Sequence, residues 1–225
     1  MIGNHNNRTW FDRGALRYMR NQYGVDTMID IGCGTKSQTK TALSIGYSEA
    51  VAIDGDETIQ PDILIDFNRK RLKLDKDYDL AWCVEVLPYI DEKKLRNLKD
   101  AFLRCKYVIA TATIWSNKEY PNNNKRQWYL DKFKSWGLEY DDDIYKEIVE
   151  HSLMDRKNHE SGNYTWLERT GMFFKNPKFF GETVQPVDDE IELLDIDDEI
   201  KVMADPAFEA SESPQEKMED GGTFG

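Results

Sequence analysis

Cysteine, histidine and long apolar runs are scarce in this chain, and each scarcity removes a class of protein. The three cysteines, Cys33, Cys83 and Cys105, lie far apart and form no Cys-x-x-Cys pair. That spacing excludes a disulfide framework and a thiolate metal site, and no metal is expected. Reduced thiols in a cytoplasmic protein (the host cytoplasm, if the source is viral) are the plain reading, with Cys33 and Cys83 as small apolar filling. No stretch approaches 18 uninterrupted apolar residues, so no membrane-crossing helix is expected. The start, Met1 to His5, has no basic region followed by an apolar core, which argues against a signal peptide. The three histidines, His5, His151 and His159, avoid every candidate strand end, so no imidazole is placed for catalysis.

A basic excess is missing too. The net charge of −12 belongs to one end of the chain. Residues 182–225 hold 15 acids against two lysines, and the other 181 residues carry +1. A domain over 1–181 is therefore expected, followed by an acidic, largely disordered tail over 182–225. Within the tail, Val187 to Ile196 mixes apolar residues with acids. It reads either as solvated chain or as a segment that docks on a protein partner or on the domain itself. The Asp-x-Asp-x-Asp-Gly calcium loop is absent. A balanced domain also lacks the cationic surface that duplex binding requires. Arg69-Lys70-Arg71 is its one local basic run, and a solvated turn is its simplest role.

What the chain does have is a glycine turn at the end of an apolar strand. Met28-Ile29-Asp30-Ile31 runs into Gly32-Cys33-Gly34, and a helical pattern follows. The first glycine permits the sharp turn, and the second lets a ligand approach the backbone. A second strand, Ala50 to Ile53, ends on Asp54, which is 20 residues beyond Gly34. That spacing suits a carboxylate accepting hydrogen bonds from ribose hydroxyls. The dinucleotide fingerprint is incomplete, because Ser37 stands where the third Gly or Ala belongs. A phosphate-binding P-loop is excluded, because no Gly directly precedes Lys36. Strands are expected at Pro61–Phe67, Tyr78–Leu87 and Tyr107–Thr111. Helices are expected at Trp10–Tyr23, Glu92–Arg104 and Arg126–Trp136, the last stopped by Gly137. Alternating strands and helices with short links predict a doubly wound sheet.

Asp-x-Gly-x-Gly closing a first strand resembles the first motif of class I S-adenosylmethionine-dependent methyltransferases. The likeness spans residues 25–174 and sits nearest to small phage-type and marine-type methyltransferase domains ending in Gly-Met-Phe-Phe, here Gly171 to Phe174. It implies an α/β, Rossmann-like, mostly parallel seven-stranded sheet and S-adenosylmethionine as cofactor. It places Asp30, Gly32, Cys33 and Gly34 around the amino-acid end of that cofactor and Asp54 on the ribose. Asp66 or its neighbour Phe67 would meet the adenine, with Cys83 and Val84 beside the cofactor strand.

Methyl transfer needs an aligned nucleophile and, for a hydroxyl, a proton acceptor. Glu85, with Tyr89 following it, lies at the end of the fourth strand, where the fold would face the methyl group. Glu85 reads as the base or as a holder of the cofactor or of a nearby N–H. Proximity alone suffices for an acceptor that is already nucleophilic. Related domains carry histidines after this strand and in the next loop. This chain carries none at either place, so a catalytically inactive cofactor-binding or interaction protein stays open, as does an NAD-linked enzyme. Leu87-Pro88-Tyr89 lacks the polar residue and second proline of the loop that gathers a flipped base. No Pro-Cys pair supplies a cytosine-C5 nucleophile. A small-molecule or glycan acceptor, methylated on oxygen or nitrogen, therefore ranks above nucleic acid. Trp115 and Tyr120, in the long loop after the fifth strand, are the candidate acceptor contacts. Trp128 and Trp136 sit at helical positions and read as packing.

Overall fold

A computed structural model describes residues 11–112, 120–153 and 166–181. Its sheet has seven strands, here β1 (Thr27–Ile31), β2 (Glu49–Asp54), β3 (Ile63–Leu64), β4 (Tyr78–Cys83), β5 (Cys105–Thr111), β6 (Glu139–Tyr140) and β7 (Gly171–Lys175). They lie in the order β3-β2-β1-β4-β5-β7-β6. Pairing is parallel from β3 to β5, and β7 runs antiparallel to both β5 and β6. The helices are α1 (Arg13–Tyr23), α2 (Ser37–Ser44), α3 (Lys99–Leu103), α4 (Arg126–Ser135), α5 (Asp142–His151) and α6 (Trp166–Thr170). The expected α/β sheet with seven mostly parallel strands is therefore present. Among the described residues, no helix is long and apolar enough to cross a membrane.

Strand periodicity sorts the core into two layers. Ile29, Ile31, Ala81, Cys83, Val108 and Phe174 point to one face, under Phe102 of α3 and Tyr129 and Phe133 of α4. Met28, Leu80, Trp82, Ile109 and Phe173 point to the other, under Leu16 and Met19 of α1 and Ile148 of α5. A parallel sheet covered on both faces explains why β1 reads as a continuous apolar run broken only by Asp30. Trp136 is buried and stacks on Phe133 with ring centroids 4.9 Å apart, so it packs as expected.

Several boundaries move for identifiable reasons. The first helix starts at Arg13, because the Asp12 carboxylate accepts from Ala15 N–H and caps it there. The third strand shrinks to Ile63–Leu64. Pro61 has no N–H to give, and Asp62 takes the Ala52 N–H on its side chain at 2.7 Å. The fourth strand stops at Cys83, because Glu85 adopts a left-handed φ of 60° and Leu87–Tyr89 winds into a 3₁₀ turn around Pro88. The stretch from Glu92 to Leu98 is 3₁₀, and only Lys99–Leu103 is α-helical. The buried Asn97 occupies that 3₁₀ segment and donates to Phe67 O at 2.7 Å.

Asp12 also ties distant parts together. Its buried carboxylate accepts from the Ser152 hydroxyl and from Leu153 N–H, and its own N–H donates to Gln38 Oε1 at 2.7 Å. Beside it, α1 and α5 cross at Gly14. A Cβ there would lie 1.9 Å from His151 O, so only glycine fits the crossing.

Candidate functional site

The strand order reverses between β1 and β4, and open α/β sheets leave a crevice at the carboxyl ends beside such a point. Four segments meet there: the glycine turn after β1, Asp54 ending β2, the Val84–Tyr89 stretch after β4, and Thr111 ending β5.

The glycine turn folds over the end of β2. Gly32 N–H and Cys33 N–H both donate to Ile53 O, at 2.8 and 3.1 Å, and Gly34 N–H donates to Asp54 Oδ2 at 3.0 Å. Asp54 Oδ1 accepts from Asp56 N–H at 3.0 Å, so the acid anchors both loops while staying at the crevice edge. Gly32 has φ 72°, and a Cβ on it would come 2.2 Å from Val86 Cγ2. The loop after β4 therefore rests directly on the turn.

Asp30 faces the helix that follows. Its Oδ2 accepts from Thr39 N–H at 3.2 Å and from Thr39 Oγ1 at 2.7 Å. Thr39 is in the first turn of α2, so the carboxylate occupies the positive end of that helix. Burial outweighs those bonds and pushes the Asp30 carboxyl up to about 7, with Asp54 nearby adding to the rise.

A stability consequence follows from the sign of that shift. Folded Asp30 holds a proton between its usual value of 3.8 and about 7, where the unfolded chain has lost it. Stability should therefore fall as pH rises through that window and level off above it. Asp30→Asn keeps an oxygen for both Thr39 donors and removes the titration. Urea unfolding at pH 5 and pH 8 should show the variant gaining on the wild type toward high pH, on the order of a few kcal/mol. A difference independent of pH would mean that Asp30 titrates as an ordinary surface acid.

Glu85 is partly buried beyond β4. Its N–H donates to Thr111 Oγ1 at 2.8 Å, and its Oε1 accepts from the same hydroxyl at 3.0 Å. Burial raises its carboxyl to about 7, and the Thr111 bond holds it back from rising further. Tyr89 lies close by and hydrogen-bonds the Tyr120 side chain. Their rings meet edge to face with centroids 5.1 Å apart. Burial, first of all, pushes the Tyr89 hydroxyl above its usual range.

The remaining expected residues divide. Cys33 and Cys83 are buried, and burial raises both thiols, which matches filling and not thiolate chemistry. Val84 is partly buried against the α1 side of the core. Phe67 is buried in the opposite layer, whereas Asp66 is exposed, accepts from Asn68 N–H and pairs with Arg69 at 3.3 Å. His151 is exposed at the end of α5 and stacks on Tyr18 with centroids 4.2 Å apart. Trp115, His5, His159 and the acidic tail lie outside the described residues. Among the described residues, no three His, Cys, Asp or Glu side chains gather as metal ligands.

Two residues join the site without having been read from the sequence. Thr111 is one; its signal is a hydroxyl closing an otherwise apolar strand. Asn68 is the other. It donates to Tyr89 O at 3.1 Å and accepts from Asp91 N–H at 2.8 Å, clamping the loop after β3 to the loop after β4.

No protein-family profile and no curated protein sequence matches the chain. Solved structures do share its fold. TehB from Haemophilus influenzae aligns with a TM-score of 0.50 at 14% identity, over 72% of this chain and 62% of that one. This chain thus spans less than two thirds of the TehB chain. The methyltransferase domain of bacterial CtHen1 aligns at 16% identity and TM-score 0.48, over 76% of this chain and 98% of that one. An S-adenosylmethionine-dependent methyltransferase from Clostridium acetobutylicum ATCC 824 aligns at 12% identity and TM-score 0.49, over 72% of this chain and 89% of that one. The fold is the Rossmann-like fold of class I methyltransferases, and at these identities the likeness concerns the fold alone.

Proposed function

We propose that the crevice binds S-adenosylmethionine and that the protein methylates an oxygen or nitrogen of a small-molecule or glycan acceptor. One observation carries the choice of cofactor. At the N-terminus of α2, where a dinucleotide's pyrophosphate would bind, the Thr39 N–H is already engaged by the Asp30 side chain. Asp54 adds a carboxylate at the crevice edge, which repels a pyrophosphate and attracts a cation. A sulfonium and an α-ammonium suit that field.

The residues present fit such a ligand. Gly32 and Gly34 would flank its amino-acid end, because no side chain fits over the turn at Gly32. Asp54 would accept from the ribose hydroxyls with the lone pairs left after its two backbone bonds. The exposed Asp66 would face the adenine. Once bound, the cofactor supplies a methyl group already activated for in-line displacement.

The chain's own share is alignment and proton transfer. Glu85 would take the proton from an acceptor O–H or N–H, and a carboxyl raised to about 7 is matched to that task near neutral pH. Tyr89 and Tyr120 form an aromatic wall against which a ring or the apolar face of a sugar can lie.

Calorimetry with S-adenosylmethionine, S-adenosylhomocysteine and NAD tests the reading. Both sulfur ligands should bind with micromolar affinity or better, and NAD should give no heat. Binding of NAD without either sulfur ligand would overturn it.

A further inference from the structure

We infer that Thr111 is a positioning residue for Glu85, holding its backbone in the left-handed region and steering the exchangeable proton to one carboxyl oxygen. The inference rests on the reading of Glu85 as the proton acceptor.

The geometry is specific about direction. An amide N–H can only donate, so Thr111 Oγ1 must accept from Glu85 N, at 2.8 Å. A hydroxyl has one proton, and Thr111 gives it to Glu85 Oε1 at 3.0 Å. That oxygen is therefore occupied as an acceptor, which leaves Oε2 as the oxygen free to take up a proton. The same hydroxyl satisfies the N–H of a residue at φ 60°, a left-handed conformation that strains any residue but glycine. Thr111 can serve as an anchor because it is itself fixed. It is fully buried at the end of β5, opposite Gly171 of β7, and the next residue's N–H donates to Thr170 O at 3.1 Å.

Valine has nearly the shape of threonine but can do neither job. With Glu labelled by ¹³C, the Glu85 carboxyl can be titrated by NMR, using Glu85→Gln to assign its signal. The wild type should titrate near 7. Thr111→Val should raise that midpoint by about one pH unit or more, because it loses a hydrogen bond to the charged form. Thr111→Ser should stay within a few tenths of the wild type. Binding of S-adenosylhomocysteine, measured alongside, reports whether each variant keeps its fold.

A folded Thr111→Val protein titrating like the wild type would overturn the inference. If that variant does not fold, hydrogen exchange of the wild type decides. The Glu85 amide should be strongly protected, and exchange at the rate of an open loop would overturn the proposal equally. Undiminished methyl transfer by Glu85→Gln would instead remove the base reading. The positioning result would still stand, because it is read from titration and not from turnover.

Discussion

Gly32→Ala should abolish measurable binding of S-adenosylhomocysteine and lower the thermal midpoint by roughly 4–20 °C. Two costs add. An alanine at φ 72° pays about 1–2 kcal/mol for the left-handed conformation. Its Cβ would also lie 2.2 Å from Val86 Cγ2, and forcing a methyl into a packed contact costs about 1–3 kcal/mol. Valine is stiff at its first torsion, so the clash moves the backbone and not merely a side-chain tip. Each kcal/mol shifts the midpoint by about 2–4 °C in a chain of this size. The accompanying displacement falls on the loop that carries Glu85. Val86→Ala should rescue part of the loss, because it removes the clash and leaves the backbone cost. The double variant should therefore be more stable than the sum of the single changes, with a coupling of about 1 kcal/mol or more. A Gly32→Ala protein that melts and binds like the wild type would show that the two loops do not touch.

Asp54→Ala should weaken binding of S-adenosylhomocysteine by about a hundredfold or more. The substitution strands the Gly34 and Asp56 N–H groups and removes the proposed ribose acceptor together. A hydrogen bond to a charged group contributes about 1.5–3 kcal/mol, and each 1.4 kcal/mol is about tenfold in affinity. Asp54→Asn separates the two roles. Its one oxygen can serve Gly34 or Asp56 but not both, so its loss should be intermediate. Thermal unfolding without ligand measures the damage to the turn, and calorimetry measures the whole. If affinity falls far more than the unliganded stability explains, Asp54 touches the ligand. Unchanged affinity in Asp54→Ala would end its candidacy as the ribose contact.

The strands buried on both faces were legible because their apolar runs need no knowledge of the partner. β1, β2 and β5 therefore appear close to where their residues suggest. α5 was not read, although it carries its signals: Ile144, Tyr145, Ile148 and Val149 recur at helical spacing and pack on the α1 side of the core, and Asp141 caps the start. β7 runs antiparallel to β5, and the composition of Gly171–Lys175 carries no mark of that direction. At the site, the glycine turn and Asp54 were legible as spacing. The sharp turn at Glu85 was not, since Val84-Glu85-Val86-Leu87 has the composition of a continuing strand. Its left-handed backbone depends on a hydroxyl 26 residues away.

The knot of hydrogen bonds around Asp12 bears on the order in which the molecule is made. Its carboxylate is completed by Ser152 and Leu153, 140 and 141 positions later, while its backbone holds Gln38 at the start of α2. A nascent chain emerging from the ribosome would carry the glycine turn long before the buried acid beneath its first helix had all its partners. Contacts this distant in sequence form late, after the cost of closing the intervening loop. The half of the sheet built from β1 to β3 should thus stay loose until residue 153 is free to fold back, and a fragment ending before Ser152 would leave a carboxylate buried and incompletely satisfied.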